Sequence, residues 1–223
     1  HALTHLAQFH KNVKHKESAF SLGLTLENKL FAVEHYLNLV SEALTPISVN
    51  LYSGHYVQEY EPVQRVVAVI EGYIGALYSS LEVVALLNRQ FNSGLPQGFR
   101  RQAKKFELFS LQKRGWLPHF YDVRSELAHY NTPIPSVTAS KLIIEFRNPS
   151  ELELFKKGRH EIPFEAILGY ASELFGMLDE WALSELKNID PDVEVNVLYE
   201  TGWKKPLESK NEPVKTLLAE LGL

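Results

Sequence analysis

The amino-acid sequence predicts an all-α protein: a four- to five-helix up-down bundle with a β-hairpin insert before the last core helix and a C-terminal tail. Two patterns predict this fold. Apolar residues recur every three or four positions along the long stretches of the chain, which is the period of a helix packed on one side. Between residues 136 and 155 the pattern changes to short β-prone runs. We expect one helical bundle over 1–188, with the insert at about 136–160, and a tail or small appendage over 189–223.

The first two helices are bounded by threonine and proline. Thr25 is a typical N-cap residue before an apolar stripe that runs to Leu44, and Pro46 predicts the end of that helix. Pro62 stands at a typical first position of the second helix, which extends to about Phe91. This second helix is apolar around most of its circumference, so we expect it at the centre of the bundle.

The third helix, predicted over 98–113, has two different faces. Its apolar face holds Phe99, Ala103, Phe106 and Phe109, and its opposite face holds Arg100, Arg101, Lys104 and Lys105. Between residues 100 and 114, six basic residues against one glutamate give a charge of +5. A phosphate backbone binds such a stripe, so we interpret the four cations as RNA-binding residues. The alternative is a solvated helix face that is balanced by acidic helices elsewhere.

Proline also delimits the remaining core helices. Pro118 opens the fourth helix, which ends just before Pro133, and Pro163 opens the last long helix. Between these two helices, we expect the hairpin to turn around Asn148 and Pro149. The last helix therefore follows the insert directly.

The composition excludes several classes of protein. The net charge of -4 argues against a generally basic nucleic-acid coat, although it is compatible with a local basic patch. Cysteine is absent, which excludes disulfides, cysteine-ligated zinc and thiolate catalysis. No uninterrupted apolar run reaches ~18 residues and no signal-peptide pattern is visible, so we expect no membrane span and a cytoplasmic location. The tail predicts a strand over 193–199 and a short amphipathic helix over 213–221.

The fourth helix carries the residues with the clearest chemistry. Arg124 is a permanent cation, and His129, five positions later, exchanges a proton near neutral pH. Such a pair can hold a phosphate and move a proton, as cleavage of RNA through its 2′-hydroxyl requires. On an ideal helix, the arc between the pair holds Tyr121, Ser125 and Ala128. The face expected to pack on the bundle holds Phe120, Val123, Leu127 and Tyr130.

This arrangement resembles the HEPN domain family. HEPN domains are helical bundles whose late helix carries an Arg-x4–6-His motif, and the run from Arg124 to His129 fits that spacing. The likeness covers the four long helices, roughly 25–188, in order and length. It implies a homodimer in which two motifs share one cleft. It also implies metal-independent endoribonuclease activity, in which the 2′-hydroxyl attacks the adjacent phosphate and leaves a 2′,3′-cyclic end.

The resemblance also implies roles for individual residues. His129 would act as the general base or acid. Arg124 would hold the scissile phosphate and offset charge in the transition state. Tyr121 and Ser125 would orient the pair by hydrogen bonds, and Tyr130 would support it from the end of the helix.

The chain departs from the family pattern at two positions. Catalytic members often carry Asn, Asp or His after the arginine, where this chain has Ser125. Some members carry a tyrosine two residues past the histidine as a target of nucleotide transfer, and here that position holds Asn131. Tyr130 lies one position earlier, so we do not carry that role over. These departures leave open a non-catalytic HEPN-like module that dimerises or binds nucleotide or RNA.

A metal-binding helical bundle is another alternative class. His119, Asp122, Glu126 and His129 fall on one arc of the fourth helix, and the last two form a Glu-x-x-His. Di-iron bundles need that motif on two helices, and the chain has no second copy. We therefore expect no metal and no cofactor.

Arg124 also has a purely structural interpretation. It could form a partly buried ion pair with Glu71 or Glu82 of the second helix. Both glutamates stand in an otherwise apolar stretch, where a carboxylate without a partner would be costly. In that case His129 would be an ordinary histidine at a frayed helix end.

Overall fold

The structure is a computed structural model, and it describes residues 13–52, 60–129, 133–138, 141–146 and 161–189. It confirms the predicted fold class, because 78% of these residues are helical and the remainder include one small antiparallel sheet. The α-helices described are α1 (Lys16–Tyr52), α2 (Tyr60–Phe91), α3 (Phe99–Gln102), α4 (Trp116–His129) and α5 (Phe164–Ile189). A 3-10 turn, Glu107–Phe109, lies between α3 and α4.

The sheet contains three strands: β1 (Pro133–Thr138), β2 (Lys141–Phe146) and β3 (Glu161–Pro163). Their order is β1-β2-β3 and both pairings are antiparallel. The sheet follows α4 and leads directly into α5, so the predicted position of the insert is confirmed.

The described pairing lies earlier in the chain than the predicted turn: Thr138 pairs with Lys141, so β1 and β2 are joined by two residues. The turn predicted around Asn148 and Pro149 lies outside the described residues. The apolar run that begins at Leu142 pairs back with the preceding β-branched residues, because a two-residue connection brings adjacent strands together at little entropic cost.

The described residues form two compact units. The first unit contains residues 13–32, 76–117 and 172–189. The second unit contains residues 33–52, 60–75, 118–129, 161–171 and the strands β1 and β2. Helices α1, α2 and α5 therefore contribute residues to both units.

Aromatic side chains fill the core of the first unit. The ring of Trp181 lies 5.7 Å from that of Phe91 and 5.8 Å from that of Phe109, measured between centroids. Phe99 adds to the cluster through Phe109, at 4.9 Å. All four side chains are almost completely buried, and aromatic pairs at these separations contribute about 0.5–1.5 kcal/mol each beyond their buried area.

In the second unit, helices α1 and α2 approach closely at a glycine. A Cβ atom at Gly72 would lie 2.8 Å from Cζ of Tyr36 and 2.9 Å from its Cδ1. Only glycine therefore leaves room for the tyrosine ring in its observed position. The other side chains that fill this unit include Val33, Leu37, Ile70, Phe120, Ile144, Ile162, Phe164 and Ile167.

Helix α1 does not stop where the proline predicts. It continues through Pro46 to Tyr52, although proline removes one backbone donor from a helix. Side-chain hydroxyls bond to carbonyls of the preceding turn: Ser41 Oγ donates to the oxygen of Leu37, and Thr45 Oγ1 donates to that of Ser41. Apolar residues at helical spacing continue up to the proline, so packing outweighs the local penalty at this position.

The single third helix predicted over 98–113 was also wrong. Helix α3 spans only Phe99–Gln102 and begins after Gly98, whose φ of 89° favours glycine. The predicted apolar side nevertheless faces inward, because Phe99, Ala103 and Phe109 are buried. Packing of these aromatic rings has overridden a continuous helix in this segment.

One described helix, Glu61–Phe91, is long and apolar enough to span a membrane by length and composition, because an 18-residue stretch of it has a mean hydropathy of 1.4. Half of that stretch is buried, and the core helix of a folded bundle has the same length and composition. Leu77, Leu81 and Leu87 on this helix are fully buried. The strand predicted over 193–199 and the helix predicted over 213–221 lie outside the described residues.

Candidate functional site

Helix α4 presents a broad buried face within the second unit. Phe120 and Val123 are fully buried, as predicted, and Leu127 is half-buried. Glu126 is also fully buried, which the sequence pattern did not predict. At ~100° per residue, Glu126 lies beside Val123, so the packed face is rotated toward the acidic side of the helix.

The arc of α4 between the motif residues is more open. Arg124 and Ser125 are half-buried, and Ala128 is exposed. Tyr121, one turn earlier on the same arc, is buried with 8% of its surface accessible. The C-terminal half of α4 therefore presents a cation and two small side chains toward the surface, while Phe120 and Val123 fix the opposite side.

His129 is the last residue of α4, so its backbone position is defined. It lies five positions after Arg124, which corresponds to ~7.5 Å of rise and ~140° of rotation on a helix. The side chain of His129 and the whole of Tyr130 lie outside the described residues. The structure therefore places the two motif residues on one helix and describes the side chain of Arg124 alone.

A buried hydrogen-bond network lies on the acidic side of α4. The hydroxyl of Tyr170 and Nδ1 of His119 share a hydrogen bond. Nearby, Tyr73 Oη donates to the carbonyl of Leu168 at 3.0 Å and accepts from the backbone N–H of Ala171 at 3.1 Å. The network ties α2, α4 and α5 together inside the second unit.

Burial raises the pKa of both phenols in this network. For Tyr170, burial is the main cause, and the nearby Tyr73 hydroxyl and Asp122 carboxylate raise its pKa further. For Tyr73, the hydrogen bond from Ala171 only partly opposes the effect of burial. Both hydroxyls are therefore neutral at physiological pH and act as hydrogen-bonding groups. Sequence reasoning singled out neither tyrosine, because nothing local distinguishes a bonded core tyrosine from a packed one.

The predicted RNA-binding residues lie in the first unit. Arg100, Arg101, Lys104 and Lys105 are all exposed. Gln102, between them in sequence, is fully buried and fixes the segment. Its Nε2 donates to the carbonyls of Ala85, at 2.7 Å, and Pro96, at 2.9 Å.

Further buried hydrogen bonds connect Gln102 to α2 and α5 within the first unit. Asn88 Nδ2 donates to Gln102 Oε1 at 3.1 Å. Asn92 Nδ2 donates to Asn88 Oδ1 and to Glu185 Oε1, each at 2.9 Å. Because Asn88, Gln102 and Glu185 are buried and bonded, they hold the basic segment against α2 and α5.

Two of the six basic residues counted in the sequence are engaged elsewhere. Arg114 is buried and bonds to Glu180 through both of its terminal nitrogens. Lys113 Nζ lies 2.9 Å from Oε2 of the same glutamate. The cations that stay on the surface as a cluster are therefore the four between 100 and 105.

Among the residues that the structure describes, no three or more His, Asp or Glu side chains are grouped as a metal site. His119, Asp122 and Glu126 do share one arc of α4, but they do not form such a group. Glu71 is exposed, so burial does not require it to have a cationic partner.

Comparisons of this chain with family models, curated proteins and solved structures give no match. The HEPN likeness depends on the Arg124–His129 spacing and on the order of the helices.

Proposed function

We propose that this protein is a HEPN-like, metal-independent endoribonuclease that cleaves RNA through attack of the 2′-hydroxyl, with a composite site at a homodimer interface. The observation that carries the proposal is the open arc of α4. A half-buried Arg124 lies on that arc, next to half-buried Ser125 and exposed Ala128, on the helix that His129 ends. Small side chains beside the cation leave room for a second copy of α4 or for a phosphate group.

In the proposed reaction, the 2′-hydroxyl of the substrate attacks the adjacent phosphorus and the 5′-oxygen leaves. His129 takes the proton from the 2′-hydroxyl or gives one to the leaving oxygen, because imidazole exchanges protons near neutral pH. Arg124 binds the phosphate through its planar guanidinium and offsets the charge of the transition state. Tyr121 and Ser125 orient the motif residues, and Tyr130 supports them at the helix end.

The proposal assigns RNA binding to the exposed cations Arg100, Arg101, Lys104 and Lys105. A cluster of positive charge in a chain of net charge -4 gives a phosphate backbone a local binding surface. Gln102 supports this assignment, because its buried amide holds the segment in one conformation and so lowers the entropic cost of binding.

The chemistry of the products tests the proposal. Single-stranded RNA is incubated with the native chain, and the ends of the fragments are identified by mass spectrometry. We expect 2′,3′-cyclic phosphate ends, and we expect the matching 2′-O-methyl RNA to stay intact because its nucleophile is blocked. Fragments with 3′-hydroxyl ends, or cleavage of 2′-O-methyl RNA, would contradict the mechanism.

A non-catalytic HEPN-like module is the second candidate. Ser125 favours it, because catalytic members often carry Asn, Asp or His at that position. This candidate predicts binding of RNA or nucleotide without any fragments. Ser125→Asn then distinguishes the two, since it restores the common catalytic residue on a half-buried, helical position. A gain of cleavage in that variant alone would assign the native chain to the non-catalytic class.

A further inference from the structure

The first unit contains an open groove that the proposed reaction does not use. Its volume is about 760 Å³, within the ~300–1,000 Å³ typical of sites for small organic ligands. Its lining includes Lys14, Phe91, Asn92, Ser93, Gly94 and Phe106. It therefore lies where α2 ends and where the segment with the four exposed cations returns to the core.

One wall of the groove is aromatic. Phe106 is half-buried, so part of its ring faces the groove, while the ring also packs edge-to-face on Phe109 at a centroid distance of 4.8 Å. That contact holds the ring in place. A fixed, partly exposed aromatic ring is the element on which single-stranded nucleic acids stack their bases.

Other residues of the lining are polar. Asn92 is fixed by its bonds to Asn88 and Glu185, and the exposed Ser93 adds a hydroxyl. Gly94 turns the chain with φ of 106°, a value that side chains other than glycine rarely adopt. Contacts within the first unit therefore hold Asn92 and Phe106 of the lining in place.

The chain segment that leads to Phe106 is strongly basic. Residues 91–106 contain Arg100, Arg101, Lys104 and Lys105 and no acidic residue. Lys105 directly precedes Phe106, and exposed Lys14 lies on the groove itself. An anionic ligand is therefore complementary to this surface, and an aromatic or heterocyclic group attached to that anion would fit the groove.

We infer that the groove and the adjoining cations form a binding site for single-stranded RNA, in which one base packs on Phe106 and the phosphates follow the cations of 100–105. The inference rests on the proposed function for the choice of RNA over other polyanions. A membrane surface is a poorer fit, because the large apolar side chains that are exposed in the described part of the chain are Leu24 and Phe31 of α1. Within the basic segment 100–105, the structure therefore shows no exposed large apolar side chain for insertion.

Binding of a labelled, single-stranded 2′-O-methyl RNA, measured by fluorescence anisotropy in EDTA, tests the inference without cleavage of the probe. Phe106→Leu keeps an apolar side chain but removes the stacking ring. Lys104→Ala/Lys105→Ala removes two cations, and Arg65→Ala/Lys187→Ala removes two exposed cations elsewhere. Thermal unfolding of each variant confirms that it is folded.

For Phe106→Leu we expect Kd to rise on the order of tenfold, the loss of one base stack. For the Lys104→Ala/Lys105→Ala variant we expect Kd to rise. We also expect the slope of log K against log salt concentration to become shallower by about 1.4, because each of the two lost phosphate contacts contributes ~0.7. The control pair should leave both quantities near the native values.

Several outcomes would overturn the site. Native protein that does not bind the probe would overturn it, as would a Phe106→Leu variant with native affinity. An equal loss of RNA affinity in the Arg65→Ala/Lys187→Ala control would mean that only overall charge matters. Binding to anionic vesicles that competes with RNA and is unchanged by Phe106→Leu would assign the cations to a membrane surface. If groove-dependent binding is found but natural RNA is never cleaved, the site stands and the proposed catalytic function fails.

Discussion

Arg114 and Glu180 form a two-armed ion pair in the first unit, with Nη1 3.1 Å from Oε1 and Nη2 2.6 Å from Oε2. The guanidinium is buried and also donates through Nε to the carbonyl of Leu108 at 2.9 Å. The hydrogen bonds from Arg114, and then from Lys113, lower the pKa of Glu180 to about 2. A buried arginine therefore depends on a carboxylate that stays ionised far into the acidic range.

This pair predicts a pH-dependent effect of Glu180→Gln. A carboxyl whose pKa falls on folding stabilises the native state above its unfolded pKa, near 4.5, and the contribution disappears as the pH falls toward 2. At pH 7 we expect Glu180→Gln to lower Tm by about 2–4 °C, a modest effect because half of the Glu180 side chain is exposed and screened. The difference from native protein should shrink progressively below pH 4.5.

The matched control is Glu173→Gln, which removes an exposed carboxylate from the same helix. Its Tm should stay close to that of the native protein at pH 7 and at pH 3. A Glu180→Gln variant with the same deficit at pH 3 and pH 7 would contradict the assignment, because protonation should remove the advantage of the native residue.

Gln102→Ala should destabilise the protein strongly, although its segment carries the four exposed cations. The change removes the donor to the buried carbonyls of Ala85 and Pro96 and the acceptor for Asn88. Leaving buried polar groups without partners costs about 1–3 kcal/mol each, so we expect a loss of about 2–4 kcal/mol in urea unfolding. Gln112→Ala, at an exposed position, should change the unfolding free energy by less than about 0.5 kcal/mol. Equal effects of the two substitutions would contradict the anchoring role.

Two glycines of α2 should respond in opposite directions to alanine. Gly72→Ala places a methyl group against the ring of Tyr36, and we expect a loss of about 1–3 kcal/mol. At Gly75 a Cβ meets nothing within 4 Å, so Gly75→Ala should stabilise the helix by about 0.4–1 kcal/mol. Chemical denaturation of both variants checks the sign. A neutral or stabilising Gly72→Ala would mean that α1 and α2 do not approach as closely as described.

The shared-cleft proposal predicts a homodimer that depends on the open arc of α4. Ala128 is exposed and small, so Ala128→Arg should introduce bulk and like charge beside Arg124 in both copies. We expect light scattering to give the mass of two chains for native protein and of one chain for the variant, with cleavage lost in parallel. Ser172→Arg, an exposed position on α5, is the control and should stay dimeric. Native protein that is strictly monomeric would contradict the composite site.

The long-range outline of this fold could be predicted from the sequence, because it depends on periodicity. The starts of α2 near Pro62 and α5 at Pro163, and the period change that marks the sheet, all correspond to strong local signals. Pro46 carried an equally strong signal, but the prediction from it was wrong, because packing of the apolar residues that precede Pro46 on α1 outweighs the local penalty. The broken segment after Gly98 depends on contacts with Ala85 and other distant residues, which no local pattern encodes.

The candidate site could be predicted only in part, for a similar reason. That Arg124, Ser125 and His129 lie on one helix follows from the local sequence pattern, and the structure shows this helix. The burial of Glu126 and the bond between Tyr170 and His119 do not follow from it, because they depend on which helices meet α4. The role of His129 stays a prediction.

The most direct measurement is cleavage of single-stranded RNA in excess EDTA by native protein, Arg124→Ala and His129→Ala, with Arg89→Ala and His15→Ala as controls at exposed positions. We predict that native protein and both controls cleave the RNA in EDTA, and that either motif substitution lowers the rate by about 10²-fold or more while the fold is retained. Cleavage that EDTA abolishes, or that survives in folded Arg124→Ala and His129→Ala, would contradict the proposed function.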